Sequence, residues 1–231
     1  MDEYKKKWEE SYKRGENWIL SPKEEVVKFL NRFIRKRIGV DEFEDKIETE
    51  GSIKGLDFGC GIGRQVILLH QFGIEAHGVD ISEQAISEAQ RIAEAFGYPE
   101  LRDRFEVIDQ PTMPFADNAF DLVLSDSVLD SMEFGRARAI VKELDRIVDG
   151  YLYVSLISGL DSRFPEAYDG ENIVQEAFEE GTVQSYFTEE KIDRLFAESS
   201  FKMEWAMLRR DIYLLDKSYE GRYYLVLNNA D

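Results

Sequence analysis

Short apolar runs alternate with longer amphipathic segments through the middle of the chain. The runs are typical of buried strands, and they span 53–58, 76–79, 105–108, 120–124 and 151–157. Helical spacing of apolar residues predicts helices at 63–72, 82–96, 127–133 and 135–147. Strands that alternate with helices in this way are typical of parallel βαβ units with right-handed crossovers. We therefore predict an α/β fold built on a mostly parallel sheet.

The N-terminal region has a different pattern, which predicts two helices before the first strand. In the first, over 3–14, aromatic residues recur every fourth position and share one helical face: Tyr4, Trp8 and Tyr12. A Ser-Pro pair at 21–22 predicts the N-cap and first residue of the second helix, which ends near Gly39. The acidic segment 40–52 is predicted to be a loop.

The C-terminal region also departs from the alternation. A helix at 188–199 precedes two strands, 201–210 and 222–227, with no helix between them. Neighbouring strands without a crossover helix indicate an antiparallel hairpin, here at the sheet edge. Residues 158–187 fit no regular pattern, and we expect them to form an insertion over the functional site.

Composition narrows the range of partners and compartments. The chain has 231 residues, 43% of them hydrophobic, and a formal charge of -18, from 29 basic and 47 acidic residues. This charge disfavours nucleic acid and anionic membranes as partners. Cys60 is the one cysteine, so we expect no internal disulfide and no metal site. With no signal-peptide segment and no membrane-length apolar run, the sequence predicts a cytoplasmic protein.

A glycine-rich loop is the main chemical signal. In LDFGCGIGR, residues 56–64, Gly59, Gly61 and Gly63 follow a predicted strand and precede a helix. Arg64 stands where the dinucleotide fingerprint has its last glycine, and no Lys-Ser/Thr pair follows as in a phosphate loop. Asp80 ends the next strand, where a carboxylate can accept hydrogen bonds from ribose hydroxyls. These features indicate a nucleoside cofactor but leave a plain structural turn, with Asp80 as a helix cap, as the alternative.

Three stretches taken together carry a family resemblance. LDFGCGIGR, GVDIS and FDLVLSDSVL resemble, in order and spacing, the motifs of class I S-adenosylmethionine-dependent methyltransferases over about 53–157. The resemblance implies a Rossmann-like three-layer sandwich with a seven-stranded, mostly parallel sheet and an antiparallel C-terminal strand. It implies S-adenosyl-L-methionine as cofactor and S-adenosyl-L-homocysteine as product.

The same resemblance assigns cofactor-binding roles beyond the glycines and Asp80. Asp57 would hold the ammonium side of the cofactor, and Ser125 would lie beside its amino-acid tail. Asp109 would lie near the adenine amine, the backbone of Gln110 would face the ring, and Ile81 would pack on it.

The acceptor side gives weaker signals. The two histidines, His70 and His77, are expected to be structural. Many relatives carry a histidine near the acceptor, where SDSVLDSM, residues 125–132, has none. Asp126 and Asp130 are therefore the candidate general bases, unless they are acids that favour a helix N-terminus. No Asn-Pro-Pro-aromatic motif, typical of amino methylation of nucleic-acid bases, is present.

Two further segments are expected to line the acceptor site. WEESYKRGENW resembles the entry segment of thiopurine and tellurite-resistance methyltransferases, which implies that Trp18 covers the cofactor and Tyr12 faces the acceptor. The alternative is that these aromatic residues dock the first helix on the sheet. In the insertion, Tyr168 and Tyr186 are candidate pocket residues, and Arg163 would suit an acceptor carboxylate or phosphate.

The sequence thus predicts one methyltransferase domain over 1–231, with an N-terminal helical cap at 1–50 and the insertion at 158–187. Its expected reaction moves a methyl group to an oxygen or nitrogen of a small-molecule acceptor, with Asp130, Tyr12 and Tyr186 as candidate catalytic residues. The alternatives are a protein-directed methyltransferase, whose acidic surface docks a basic partner, and a non-catalytic S-adenosylmethionine-binding protein. We expect a monomer or homodimer without nucleic-acid or membrane partners.

Overall fold

A computed structural model describes residues 3–108 and 112–229. The helices are α1 (Glu3–Lys13), α2 (Glu24–Phe29), α3 (Arg64–Gln71), α4 (Glu83–Ala95), α5 (Phe134–Ile147) and α6 (Glu189–Phe196). The first seven strands are β1 (Arg35–Arg37), β2 (Phe43–Asp45), β3 (Lys54–Phe58), β4 (Glu75–Asp80), β5 (Phe105–Val107), β6 (Phe120–Asp126) and β7 (Val148–Ser158). The last four are β8 (Glu171–Ile173), β9 (Val183–Ser185), β10 (Lys202–Ile212) and β11 (Tyr219–Asn228). A π-turn at Leu30–Ile34 continues α2, and a 3₁₀ turn at Pro99–Arg104 precedes β5.

The main sheet formed by the described residues has seven strands in the order β10-β11-β7-β6-β3-β4-β5. The strand β3 pairs in parallel with β4 and with β6, and β4 pairs in parallel with β5. At the other side, β11 pairs antiparallel with both β7 and β10. The predicted Rossmann-like α/β fold and its C-terminal hairpin are confirmed.

The described residues divide into two compact units. The first comprises 3–108 and 119–124, and the second comprises 112–118 and 125–229. Division into one domain with a cap at 1–50 and an insertion at 158–187 stays a prediction.

In the first unit, buried parallel strands hold the glycine loop. The interior of β3, Gly55 to Asp57, is buried, as is the end of β4 from Gly78 to Asp80. Such continuous burial is typical of parallel strands that are covered on both faces. The loop between β3 and α3 therefore starts from the carboxyl end of a buried strand, where α/β folds bind ligands.

In the second unit, α5 and α6 bury apolar faces while the insertion forms its own small hairpin. Ala137, Ile140, Val141 and Leu144 give α5 a buried stripe at helical spacing. Thr188 caps α6 by accepting a hydrogen bond from the Lys191 amide. The hairpin β8–β9 lies inside 158–187, a segment for which the sequence predicted no regular element.

Three local predictions are wrong. The second helix starts after Lys23, not at Ser21, because Lys23 is the last residue with extended backbone angles. Its regular turns end at Ile34, since 35–37 pair with 43–45 as a small hairpin, which also replaces part of the predicted loop at 40–52. Segment 127–133 forms turns instead of a helix, starting from Ser127, whose φ of 62° is left-handed.

Over 3–108 and 112–229, no helix is long and apolar enough to cross a bilayer.

Candidate functional site

The glycine loop is a tight backbone structure closed by main-chain hydrogen bonds. The amides of Gly59 and Cys60 both donate to the Val79 carbonyl, at 2.8 and 2.9 Å. Gly59, Gly61 and Gly63 have φ values of 75°, 53° and 83°, which favour glycine. A Cβ on Gly63 would lie 2.9 Å from the Phe105 ring. This glycine therefore serves packing as well as loop conformation.

Asp80 ties the loop to the end of β4. Its Oδ2 accepts from the Gly61 amide at 2.8 Å, and its Oδ1 accepts from the Ser82 amide at 2.9 Å. Burial raises the pKa of Asp80 to about 6, although these amides favour its charged form. The Ile81 amide also stabilises this carboxylate, so backbone donors from both flanking segments fix its orientation at the end of β4. A carboxylate at this place in an α/β fold is the group that binds ribose hydroxyls.

Helix α1 docks on the same two loops. Glu9 accepts from the Ser82 hydroxyl at 2.6 Å and from the Gln84 amide at 3.1 Å, at the N-terminus of α4. Burial raises the pKa of Glu9, but these hydrogen bonds outweigh it and leave the pKa below its usual value. The Tyr12 hydroxyl lies 2.6 Å from where a Cβ on Gly61 would be. The role of Glu9 was not predicted from the sequence, because the prediction for α1 used only its recurring aromatic residues.

Trp18 is placed beside α4. Its side chain is 43% exposed, and the Arg91 guanidinium lies 5.6 Å from its ring centroid. At 1.5 Å per residue, Arg91 is about 12 Å along α4 from Glu83, the first helical residue. The contact places Trp18 against α4, and its role in covering the cofactor stays a prediction.

The other predicted cofactor residues are placed as follows. In the first unit, Asp57 is buried and Ile81 is half-buried. In the second unit, Ser125 is fully buried, and its hydroxyl has no hydrogen-bond partner within the described ranges. Asp109 and Gln110 lie outside the described residues, so their roles stay predictions. Cys60 is buried under the loop, where burial raises the pKa of its thiol and makes it unreactive.

Asp130 is held in an ion pair that the sequence did not predict. Its Oδ2 accepts from Arg222 Nη1 and from the Ile157 amide, both at 2.8 Å. The Asp130 side chain is 1% exposed, while that of Arg222 is 26% exposed. A general base must reach the proton that it removes. The burial and the ion pair favour a positioning role for Asp130 over the general-base role. Because 92 residues separate Arg222 from Asp130, no local pattern could have revealed the pair.

The same polar cluster includes the ends of β6 and β7. The Ser155 hydroxyl donates to Asp126 Oδ1 at 2.7 Å and accepts from the Ser127 amide at 3.0 Å. These contacts hold Ser127 in its left-handed conformation. Asp126 is half-buried, so it is more accessible than Asp130.

Tyr186 lies at a groove in the second unit. Its ring is 2% exposed, and its hydroxyl donates to Gln184 Oε1 at 2.5 Å. Phe164 packs edge-on against this ring at a centroid distance of 5.0 Å. Tyr168 stacks on Phe164 and donates its hydroxyl to Asn172 Oδ1. The groove has a volume of about 480 Å³, within the range of small-molecule sites.

Among the predicted catalytic residues, Tyr12 belongs to the first unit, and Asp130 and Tyr186 belong to the second. There the Asp130 carbonyl accepts from the amide of Ser185, the residue before Tyr186, at 2.8 Å. Both histidines have structural contacts: His70 packs against Tyr98, and His77 packs against Phe120 and contacts Arg104. In the part of the chain that the structure describes, no three His, Cys, Asp or Glu side chains are arranged to hold a metal ion.

Solved structures show what this fold resembles. A SAM-dependent methyltransferase from Methanosarcina mazei is 20% identical, with a TM-score of 0.63 over 79% of this chain and 95% of that chain. Magnesium protoporphyrin IX methyltransferase from Synechocystis, crystallised with bound SAM, is 21% identical, with a TM-score of 0.54 over 77% and 70% of the two chains. At these identities the likeness concerns the fold alone.

Curated relatives match part of the chain. Ajmaline N-methyltransferase from Rauvolfia serpentina is 31% identical over 56% of this chain and 43% of its own length. Magnesium-protoporphyrin O-methyltransferase from Synechocystis is 31% identical over 53% of this chain and 56% of its own length. The chain thus spans about half the length of these relatives.

A family model described as a methyltransferase domain matches residues 50–201, which include the glycine loop, Asp80 and the segment 158–187. Its match covers more than half of the chain, and the fold agrees with it. The chain therefore belongs to this family of methyltransferase domains, and its fold is that of the SAM-dependent methyltransferases described above.

Proposed function

We propose that the protein is an enzyme that transfers a methyl group from S-adenosyl-L-methionine to an oxygen or nitrogen of a small-molecule acceptor. The observation that carries the cofactor part is the buried Asp80 carboxylate at the end of β4, which the Gly61 and Ser82 amides hold beside a loop without side chains at Gly59, Gly61 and Gly63. When bound, the sulfonium of the cofactor supplies an activated methyl group. The protein therefore has to bind the cofactor and the acceptor, orient them toward each other and exclude water.

We assign the cofactor residues the roles that the family resemblance implies. Asp80 accepts the ribose hydroxyls, and Asp57 holds the ammonium group from the end of β3. Ser125 lies at the amino-acid tail, where its buried hydroxyl gains a partner. Ile81 packs on the adenine, and Asp109 and the Gln110 backbone bind its edge. Trp18 covers the cofactor from its position beside Arg91.

The acceptor class is supported by the relatives and by the groove. The names of the relatives state N-methylation of norajmaline-type and phosphoethanolamine-type compounds and O-methylation of magnesium-protoporphyrin. All of these are small molecules, and the Tyr186 groove has the size of a small-molecule site. Tyr12 in the first unit and Tyr186 in the second remain the proposed acceptor-facing residues, each from its own unit. Neither side chain has to act as a base when the acceptor arrives deprotonated.

Asp130 contributes to this function by positioning. Because Asp130 binds both Arg222 and the Ile157 amide, it fixes segment 125–131 relative to β7. That segment includes Ser125, which we assign to the cofactor tail. Loss of the ion pair through a change at Arg222 is therefore expected to lower turnover, although the Asp130 carboxylate is still present.

An Asp80→Ala variant tests the cofactor assignment. It removes the acceptor of the ribose hydroxyls, so S-adenosyl-L-homocysteine should bind at least about tenfold more weakly by calorimetry. Asp121→Ala is the matched control, because Asp121 accepts a backbone amide from Lys54 at the opposite end of β3. Unchanged affinity in Asp80→Ala, with an unaltered circular dichroism spectrum, would remove Asp80 from the ribose role.

Methyl transfer itself is measured with methyl-labelled S-adenosyl-L-methionine. Label should enter small oxygen or nitrogen acceptors from an extract of low-molecular-weight compounds. Label in basic peptides alone would favour a protein-directed enzyme. Cofactor binding without transfer to either class would favour a non-catalytic protein.

A further inference from the structure

Gln65 is a buried polar residue of the first unit that the cofactor assignments leave unused. It is the second residue of α3, which directly follows the glycine loop. The residue is 3% exposed, and neither its Oε1 nor its Nε2 has a hydrogen-bond partner among the described residues. The large majority of buried polar side-chain atoms in proteins are paired. This amide therefore lacks a partner that the described chain does not supply.

The packing of α3 on β3 locates this side chain. A Cβ on Gly55, the second residue of β3, would lie 3.3 Å from Leu69 Cδ1, so this face of β3 is turned toward α3. Gln65 is four positions before Leu69 and shares its face of the helix. Asp57 is two positions after Gly55 and shares its face of the strand, because strand side chains alternate.

Gln65 and Asp57 therefore lie at the same height along β3. The helix runs back along the strand, since Gly63 follows the C-terminal end of β3 while Leu69 packs near its start. Going back from Leu69 to Gln65 covers about 6 Å along the helix axis. Going on from Gly55 to Asp57 covers about 6.6 Å along the strand. Helical side chains also tilt toward the N-terminus of their helix, which aims the Gln65 amide at the glycine loop.

A purely structural role does not explain this amide. A leucine has nearly the same size, and it would fill the same buried place without two polar atoms that lack partners. Residues that break such a packing rule are expected at functional sites. A ligand that supplies the missing hydrogen bonds explains why a glutamine is there.

The chemistry of a carboxamide fits the amino-acid tail of the cofactor. The Gln65 amide offers two N–H donors and one carbonyl acceptor, and it carries no charge. The tail carries a carboxylate in addition to the ammonium group that we assign to Asp57. A second protein carboxylate at this place would repel the tail carboxylate, whereas the N–H groups of Gln65 are donors for it.

We propose that Gln65 binds the cofactor, with its Nε2 donating to the carboxylate of the amino-acid tail, beside the ammonium group held by Asp57. The inference rests on the proposed function for the identity of the cofactor. It follows that Gln65 lowers the stability of the empty protein and raises its affinity for the cofactor.

The test compares Gln65→Leu with the wild type against two ligands by calorimetry. One is S-adenosyl-L-homocysteine, and the other is its decarboxylated form, the same thioether with an aminopropyl chain in place of the amino-acid tail. Gln65→Leu should bind S-adenosyl-L-homocysteine at least about tenfold more weakly, because a hydrogen bond to a charged group is lost. Its affinity for the decarboxylated form should stay within about twofold of the wild-type value. Unchanged affinity for S-adenosyl-L-homocysteine, or equal losses for both ligands, would overturn the proposal.

Thermal unfolding of the cofactor-free protein separates this role from a structural one. Gln65→Leu should melt about 2–4 °C above the wild type, since two unpaired polar atoms are removed. Gln65→Met, which keeps an unbranched side chain, should show the same combination of higher stability and weaker binding. A lower melting temperature in both variants would show that the empty protein already pairs the amide, and it would overturn the proposal.

Gln71→Leu is the matched control for these variants. Gln71 is an exposed residue of the same helix, and its Nε2 donates to the Tyr98 hydroxyl at 3.3 Å. This variant should keep the wild-type affinity for both ligands. A loss of affinity as large as that of Gln65→Leu would show a general effect on α3 and would overturn the proposal.

Failure of this inference is distinct from failure of the proposed function. If the wild type binds S-adenosyl-L-homocysteine and Gln65→Leu binds it equally well, Gln65 is removed from the site and the methyltransferase stays intact. A wild type that binds neither ligand would contradict the methyltransferase itself, and this inference with it.

Discussion

The glycine loop and the Tyr186 groove are built from different parts of the chain. In the loop, main-chain amides of Gly59, Cys60 and Gly61 make the principal contacts, to the Val79 carbonyl and to Asp80. In the groove, side chains bind one another, as Tyr186 binds Gln184 and Tyr168 binds Asn172. The glycine loop would therefore present backbone to a ligand, whereas the groove presents a particular set of side chains.

This difference separates what the two regions can specify. A loop of backbone amides fits the same cofactor in many sequences, provided that glycine allows its conformation. A groove of side chains changes its ligand whenever those residues change. The cofactor is therefore a property of the family, while the acceptor is a property of this chain.

The largest expected effect comes from adding a side chain to the loop. Gly63→Ala forces a non-glycine residue to a φ of 83° and places its Cβ 2.9 Å from the Phe105 ring. The backbone and packing costs together should lower the free energy of unfolding by roughly 3 kcal/mol. Urea unfolding followed by circular dichroism measures it.

Gly97→Ala is the matched control for this loop variant. Gly97 has a φ of 88° with nothing within 4 Å of the added Cβ, so about 1 kcal/mol of backbone cost is expected. In the groove, Gln184→Ala removes a side-chain contact and should also cost about 1 kcal/mol. Equal losses of unfolding free energy in all three variants would contradict the view that packing against Phe105 requires glycine at position 63.

The next effect distinguishes positioning from base catalysis at Asp130. Asp130→Asn leaves Arg222 with a neutral partner, and because Arg222 stays 26% exposed we expect a loss of about 2 kcal/mol in unfolding free energy. Arg222→Met should lower turnover as much as Asp130→Asn does, and Arg222→Lys should restore part of it. The KM for the acceptor should change less than kcat.

The opposite kinetic pattern would restore the base hypothesis. If Asp130→Asn abolishes turnover while Arg222→Met keeps it, the carboxylate acts directly. A pH–rate profile that loses its acidic limb in Asp130→Asn alone would point the same way.

The smallest effect concerns the ionisation of Asp80. Burial raises its pKa from 3.8 to about 6, so the carboxylate that accepts the ribose hydroxyls is present above that pH and lost below it. Affinity for S-adenosyl-L-homocysteine should fall about tenfold between pH 8 and pH 5. Asp80→Asn should show weaker binding with a flat profile, and a flat profile in the wild type would contradict the assignment.

The stability contribution of Asp80 has the opposite direction. Since its folded-state pKa lies above the unfolded value, the folded state binds the proton more tightly. The stabilising contribution is complete below about pH 4 and is lost as the pH rises through about 6. Asp80→Asn should remove this part of the pH dependence of unfolding.

The sequence predicted the elements whose signals are local. The buried strands around the glycine loop, the helix predicted at 82–96 and the C-terminal hairpin all follow from short patterns, and the structure has them. Segment 127–133 was predicted as a helix because its apolar spacing is helical. The structure forms turns there, since Asp130 binds the distant Arg222 and Ile157.

The groove contacts are local in sequence, but the sequence does not say which of them form. Arg163 binds Asp161 two positions away, and that choice depends on the burial of Asp161, which no residue pattern records. The role of Glu9 depends on the docking of α1 against Ser82, which no spacing within α1 encodes.

The most direct test of the central claim is a calorimetric titration of the wild-type chain with S-adenosyl-L-homocysteine and, separately, with NAD. Asp80 alone would suit the ribose of either, whereas Arg64 at the end of the loop excludes the dinucleotide fingerprint. We predict one-to-one binding of S-adenosyl-L-homocysteine in the micromolar range and no binding of NAD. Binding of NAD, or no binding of S-adenosyl-L-homocysteine at micromolar concentrations, would contradict the account.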